Sequence, residues 1–178
     1  AGIFYTSPSL SAGGADITVH LGYTPKASGA NLSGGASSGV QTLGSAQNAG
    51  VTISHESGLK LGIYGNQIDR LATSGQDTFE GTWYATYAMG PISVGYQQSY
   101  VARGIDGIGE AAGSSKTVAA ATGRFQADQY SVTMNLNDNL SVSYASADDT
   151  YDANDINQAD VTMGMKSIQA AYSMGSMS

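Results

Sequence analysis

The sequence predicts an all-β protein: an antiparallel β-barrel that crosses a membrane with its strands. Three observations point there. Apolar residues alternate with small or polar ones in run after run, the period of a half-exposed strand. Short turns and long polar segments succeed one another along the chain in strict alternation. Charged residues are only 12% of the 178, about half the usual share for a soluble domain. Yet no apolar run approaches the ~20 residues of a membrane-crossing helix.

The strands read in order as follows. "DITVHLGY" sets Ile17, Val19, Leu21 and Tyr23 against Asp16, Thr18, His20 and Gly22. "VTIS" gives Val51 and Ile53, and "LKLGIY" gives Leu59, Leu61 and Ile63. "WYATY" puts Trp83, Ala85 and Tyr87 on one face, and "ISVGYQQSY" does the same with Ile92, Val94, Tyr96 and Tyr100. "YSVTMNL" aligns Tyr130, Val132, Met134 and Leu136, and "LSVSY" aligns Leu140, Val142 and Tyr144. The last run starts with Val161, Met163 and Met165, then changes phase to Ile168, Ala170 and Tyr172. A bulge near Lys166 and Ser167 would account for that change. No stretch carries helical spacing over three turns.

Short turns are expected at Ser11–Ala15, Glu56–Gly58, Met89–Pro91, Asn137–Asn139 and Met174–Ser176. Between them lie polar segments, Thr24–Gly50, Gln67–Glu80, Val101–Phe125 and Ser146–Ala159, that read as solvated loops. Up-and-down strands then place every short turn at one end and every long loop at the other, the asymmetry of a transmembrane barrel. The apolar sets carry no charge, with His55 beside a turn and Asp128 at the start of a strand as the awkward members. Tyr87 and Tyr172 precede short turns, whereas Tyr23, Tyr96, Tyr130 and Tyr144 lie toward long loops. Two such bands match interfacial girdles. A secreted or surface-layer β-protein working as an adhesin is the competing class.

The totals exclude other classes. A net charge of −7 with seven scattered Lys and Arg cannot follow a phosphate backbone, which argues against nucleic acid. The absence of cysteine rules out a disulfide framework and zinc–thiolate sites. "AGIFYTSPSL" has neither the basic start nor the apolar centre of a signal peptide. Length permits one domain, residues 1–178.

"IFYTSPSLSAGGADITVHLGYTP" resembles a strand and turn in the general porins of alphaproteobacteria, carried by Tyr5, Ser7, Pro8, Ser9 and Ser11 and then Ile17 to Tyr23. "YAMGPISVGY" and "YSMGSMS" are similar to hairpins of that family. The resemblance implies a barrel of sixteen strands when complete, of which about nine, six to fourteen, are represented here, with residues 1–10 as the sixth and 15–23 as the seventh. It implies an internal fragment, truncated in the turn toward strand fifteen. It also implies a homotrimer in the bacterial outer membrane, in contact with lipid and lipopolysaccharide, passing small hydrophilic solutes and ions through a water-filled channel.

With the apolar set turned outward, the inward set includes Asp16, His20, Lys60, Tyr64, Tyr84, Gln97 and Lys166 as pore-lining candidates, Lys166 depending on where the bulge falls. Such charges bias which solutes pass. Arg103 and Arg124 flank a long loop. "ADDTYDANDINQAD" gathers Asp148, Asp149, Asp152, Asp155 and Asp160, hard oxygen donors of the kind calcium takes. The spacing is not that of an EF-hand, so calcium stands beside a plain acidic loop. "GIGEAA" matches a dinucleotide fingerprint formally, but no strand leads in and no helix follows. His20 and His55 have no serine in a nucleophile-elbow motif near them. No cofactor besides calcium, and no enzyme activity, is expected.

Overall fold

The computed structural model describes residues 2–25, 43–70, 77–102, 122–153 and 159–173. Ten strands form: β1 (Ile3–Thr6), β2 (Leu10–Ala12), β3 (Ala15–Thr24), β4 (Leu43–His55), β5 (Leu59–Arg70), β6 (Thr78–Met89), β7 (Ile92–Ala102), β8 (Thr122–Asn137), β9 (Leu140–Ala153) and β10 (Val161–Tyr172). They make one antiparallel sheet in the order β1-β3-β4-β5-β6-β7-β8-β9-β10, with β2 on the other end of β3. From β3 onward every strand thus lies beside its neighbour in sequence, up and down, while β1 and β2 both pair with β3 along the same edge. The sheet is open, and β1 and β10 are its edges.

The short connections fall where the alternation breaks. Ala12 pairs with Ala15 around Gly13 and Gly14, whose φ values of 60° and 79° are those of a two-residue turn matched to strand twist. Gly14→Ala places a Cβ in the left-handed region and is expected to cost about 1–2 kcal/mol, measured by denaturant unfolding. His55, awkward in the sequence, sits at the next turn, where its Nδ1 accepts from the Ser57 amide at 3.1 Å. Asn137 closes the β8–β9 turn by accepting from the Asn139 amide through Oδ1 at 2.9 Å. The Met174–Ser176 turn lies outside the described residues.

Three sequence expectations are corrected. Strands reach well into segments that read as loops: β4 begins at Leu43, β8 at Thr122, and β9 runs on to Ala153. Gly, Ala, Ser, Asn and Gln are poor strand formers, but cross-strand pairing on both sides overrides that preference. The opening segment is two strands, because Pro8 has no amide for the ladder. The Ser7 hydroxyl instead accepts from the Val19 amide at 2.9 Å. Before this break Thr6 pairs with His20, and after it Leu10 pairs with Ile17. One residue is therefore extra, which is a bulge, and it keeps Tyr5 and Leu10 on the same face. The third correction is β10, which pairs with β9 without a register shift from Val161↔Tyr151 to Tyr172↔Leu140. No bulge lies at Lys166 and Ser167.

Directly opposed residues of an antiparallel pair point to the same face, so the register defines rows across the sheet. One row runs Ile17, Ile53, Leu61, Ala85, Tyr96, Tyr130, Ser146, Lys166. It starts at the third residue of β3 and ends six residues short of the last residue of β10. The rows therefore climb away from the short turns as they cross the sheet, as strands inclined to a common plane of turns must. The apolar residues follow the turns and not the rows. On β3 and β4 they occupy Ile17–Tyr23 and Ala49–Ile53; on β8 to β10 they occupy Tyr130–Leu136, Leu140–Tyr144 and Ile168–Tyr172.

There is almost no interior. Among the described residues Ala127 is the one buried hydrophobic, and no large side chain is fully covered. Ile63, Trp83, Val94, Val132 and Ile168 are exposed at 61, 41, 43, 44 and 83%. Contiguous apolar exposure on this scale is foreign to a monomeric soluble protein.

Candidate functional site

The reverse of the apolar face is polar, and the register assembles it row by row. One row carries Asp16, Ser54, Lys60, Thr86, Gly95 and Ser131. The next carries Thr18, Thr52, Gly62, Tyr84, Gln97 and Gln129. A third carries Thr6, His20, Gly50, Tyr64, Thr82 and Ser99. Six of the seven pore-lining candidates, Asp16, His20, Lys60, Tyr64, Tyr84 and Gln97, therefore share three adjacent rows of one face. These rows hold no Leu, Ile, Val, Met or Phe from β3 to β7.

Lys166 is the exception. It opposes Ser146 and stands on the face of Ile168, Ala170 and Tyr172. Val161, Met163 and Met165 take the polar face instead. The assumption that the apolar member of each alternating pair stays on one face holds only within the apolar band. The loop-side half of β10 lies beyond that band, so its apolar members are free to turn the other way.

Hydrogen bonds tie the polar face together. Gln97 Nε2 donates to the hydroxyls of Thr82 at 3.3 Å and Ser99 at 3.2 Å, and those hydroxyls lie 3.0 Å apart. Asn66 Nδ2 donates to Glu80 Oε2 at 3.2 Å. Thr6 Oγ1 and His20 Nδ1 are 3.3 Å apart, and the Ser11 hydroxyl donates to Asp16. Each residue answers a neighbour on the next strand, leaving one surface of hydroxyls and amides.

Two tyrosines lie down on this surface. Gly50 and Gly62 are buried although they are on an uncovered face. A Cβ built on Gly50 would enter the ring of Tyr64, and one built on Gly62 would enter the ring of Tyr84. Each glycine sits directly opposite its tyrosine. The missing side chain is the space the ring occupies, so the aromatic bulk stays close to the sheet. Gly22 makes the same room for Asn48. His20 extends this line, with its ring centroid 5.7 Å from that of Tyr64.

The apolar face has a defined boundary toward the loops. Asp128 accepts from Tyr96 Oη at 2.6 Å, Gln98 Nε2 at 2.7 Å and Gln126 Nε2 at 2.8 Å. Trp83 Nε1 donates to Gln98 Oε1 at 3.2 Å, and its ring is 5.1 Å from that of Tyr96. Tyr130 and Tyr96 oppose one another one row below. Beyond Asp128 the face turns ionic, with Arg124 paired to Asp152. The three donors to Asp128 could not be read from its own strand alone, since two come from β7.

The calcium candidates are divided by the pleat. Asp148 opposes Asp128, and Asp152 opposes Arg124, whereas Asp149 opposes Ala127 on the other face. Asp155 lies outside the described residues, and among those described no three His, Cys, Asp or Glu are grouped to hold a metal. No known protein family, curated protein or solved structure matches this chain.

Proposed function

We propose that this sheet is part of the wall of an outer-membrane porin, a water-filled channel for passive diffusion of small hydrophilic solutes and ions. The observation that carries the reading is the uncovered apolar band backed by an uncovered polar face. A soluble sheet of this size would cover the band with a second layer, while a barrel wall leaves it to hydrocarbon and keeps its other face wet. The band follows the short turns across inclined strands and ends at tyrosines, as interfacial girdles do. Hydroxyls, amides and flattened rings on the reverse suit a lumen.

In this reading the unpaired edges of β1 and β10 meet further strands in a closed barrel, because open edges are not tolerated in hydrocarbon. The resemblance of Tyr5–Ser11 and Ile17–Tyr23 to alphaproteobacterial porins supplies the sixteen-strand architecture and the homotrimer. Lipopolysaccharide would meet the ionic rim around Arg124 and Asp152.

The test uses the full-length protein. It should require detergent for solubility, change its gel mobility on boiling, and give stepwise conductance in planar bilayers. A freely soluble, electrically silent protein would remove the reading and favour the adhesin class.

A further inference from the structure

The polar face has one apolar corner, at the loop end of β7 to β10. Val101, Phe125, Tyr151 and Val161 are consecutive neighbours in a single row. Met163 and Met165 follow Val161 along the same face of β10, exposed at 45 and 47%. The rings of Phe125 and Tyr151 pair with centroids 5.0 Å apart. In the next row Asp149 stands between Ala127 and Met163. Glu80 ends the aromatic row on the other side, opposite Val101.

The charge of this corner has one sign. The nearest described cations, Arg124 and Lys166, project from the opposite face, and Arg124 is engaged with Asp152. Lys60 lies toward the short turns. Among the described side chains, two carboxylates thus border aromatic rings and polarizable thioethers, and the cation on that face, Lys60, stands at the far end of its strand. Aromatic faces attract cations by their quadrupole, and methionine packs adaptably against apolar groups. The combination complements a permanent positive charge that carries an apolar body.

We propose that this corner binds aromatic or alkyl ammonium ions, with the cationic head toward Asp149 and the apolar part against Phe125, Tyr151 and Met163. The inference rests on the porin reading, in which the corner lines the mouth of the channel. It names a solute class that lingers there instead of passing freely.

The experiment uses the full-length protein and benzyltrimethylammonium, with benzoate as the probe of opposite charge. Binding is measured by calorimetry on the detergent-solubilised protein, separately from conductance in bilayers. Benzyltrimethylammonium is expected to bind and benzoate not. A cation–aromatic contact of about 0.5–1 kcal/mol makes Phe125→Leu weaken binding by roughly two- to fivefold. Asp149→Asn, which preserves size, is expected to weaken it to a similar extent. Each variant is used only if its gel mobility still shifts on boiling. Equal binding of benzoate, or unchanged affinity in both variants, would overturn the site while leaving the porin reading intact. Loss of conductance in the parent protein would overturn the porin reading, whatever the calorimetry shows.

Discussion

In the proposed porin reading, Val94→Arg is expected to destabilise the protein by about 2–4 kcal/mol, the cost of a cationic side chain near the bilayer midplane. Val132→Arg should cost the same, since Val94 and Val132 oppose one another across β7 and β8. Both lie between apolar neighbours of the band, Ile92 and Tyr96 on one strand and Tyr130 and Met134 on the other. The adjacent pair, Ser93 and Thr133, shares the same depth and the opposite face. Ser93→Arg and Thr133→Arg should therefore leave stability nearly unchanged and alter conductance instead. Denaturant unfolding from lipid vesicles reads the first effect, and planar bilayers read the second. Equal losses on the two faces would mean that neither meets lipid.

The second large effect is expected at Gly62. Gly62→Val puts methyl groups where the Tyr84 ring lies, and the ring must lift off the wall. Overpacking of this kind costs about 1–3 kcal/mol, and if the polar face lines a channel, as proposed, the displaced ring narrows it and single-channel conductance should fall. Tyr84→Ala in the same chain removes the colliding ring and should restore both conductance and part of the stability. Gly65→Ala is the control, because Phe79, its nearest neighbour, leaves ordinary contact distance at 3.7 Å. A double variant no better than Gly62→Val alone would show that the glycine acts through something other than room for the ring.

The two substitutions differ in how far the sequence foresees them. Val94 and Val132 are read directly: strict alternation puts them with Tyr96 and Met134, whatever the partners are. The same holds for Asp16, His20, Lys60, Tyr64, Tyr84 and Gln97, which sit in alternating runs within or next to the apolar band. Gly62 is different. In the sequence it is one small residue among 24 glycines, and its meaning depends on Tyr84 standing opposite it. That pairing is a matter of register, and register is settled between strands.

Asp128 makes the same point from the other side. Within β8 it stands at the loop-side end of the apolar set, where its own strand supplies one donor, Gln126. The sheet brings Tyr96 and Gln98 from β7 to its oxygens, so the carboxylate marks the edge of the apolar band without being stranded in it.

Period and turn chemistry by themselves determined the strands, their up-and-down order, four described turns and the two-faced character of the wall, because each depends on residues a few positions apart. Tertiary structure decided what depends on alignment between strands. It moved the bulge from Lys166 to Pro8, extended strands through segments of small polar residues, and set Lys166 on the apolar face while Val161, Met163 and Met165 took the polar one. A two-residue period carries no record of where a strand leaves the apolar band, and the inclination that sets this depth arises only when strands pair.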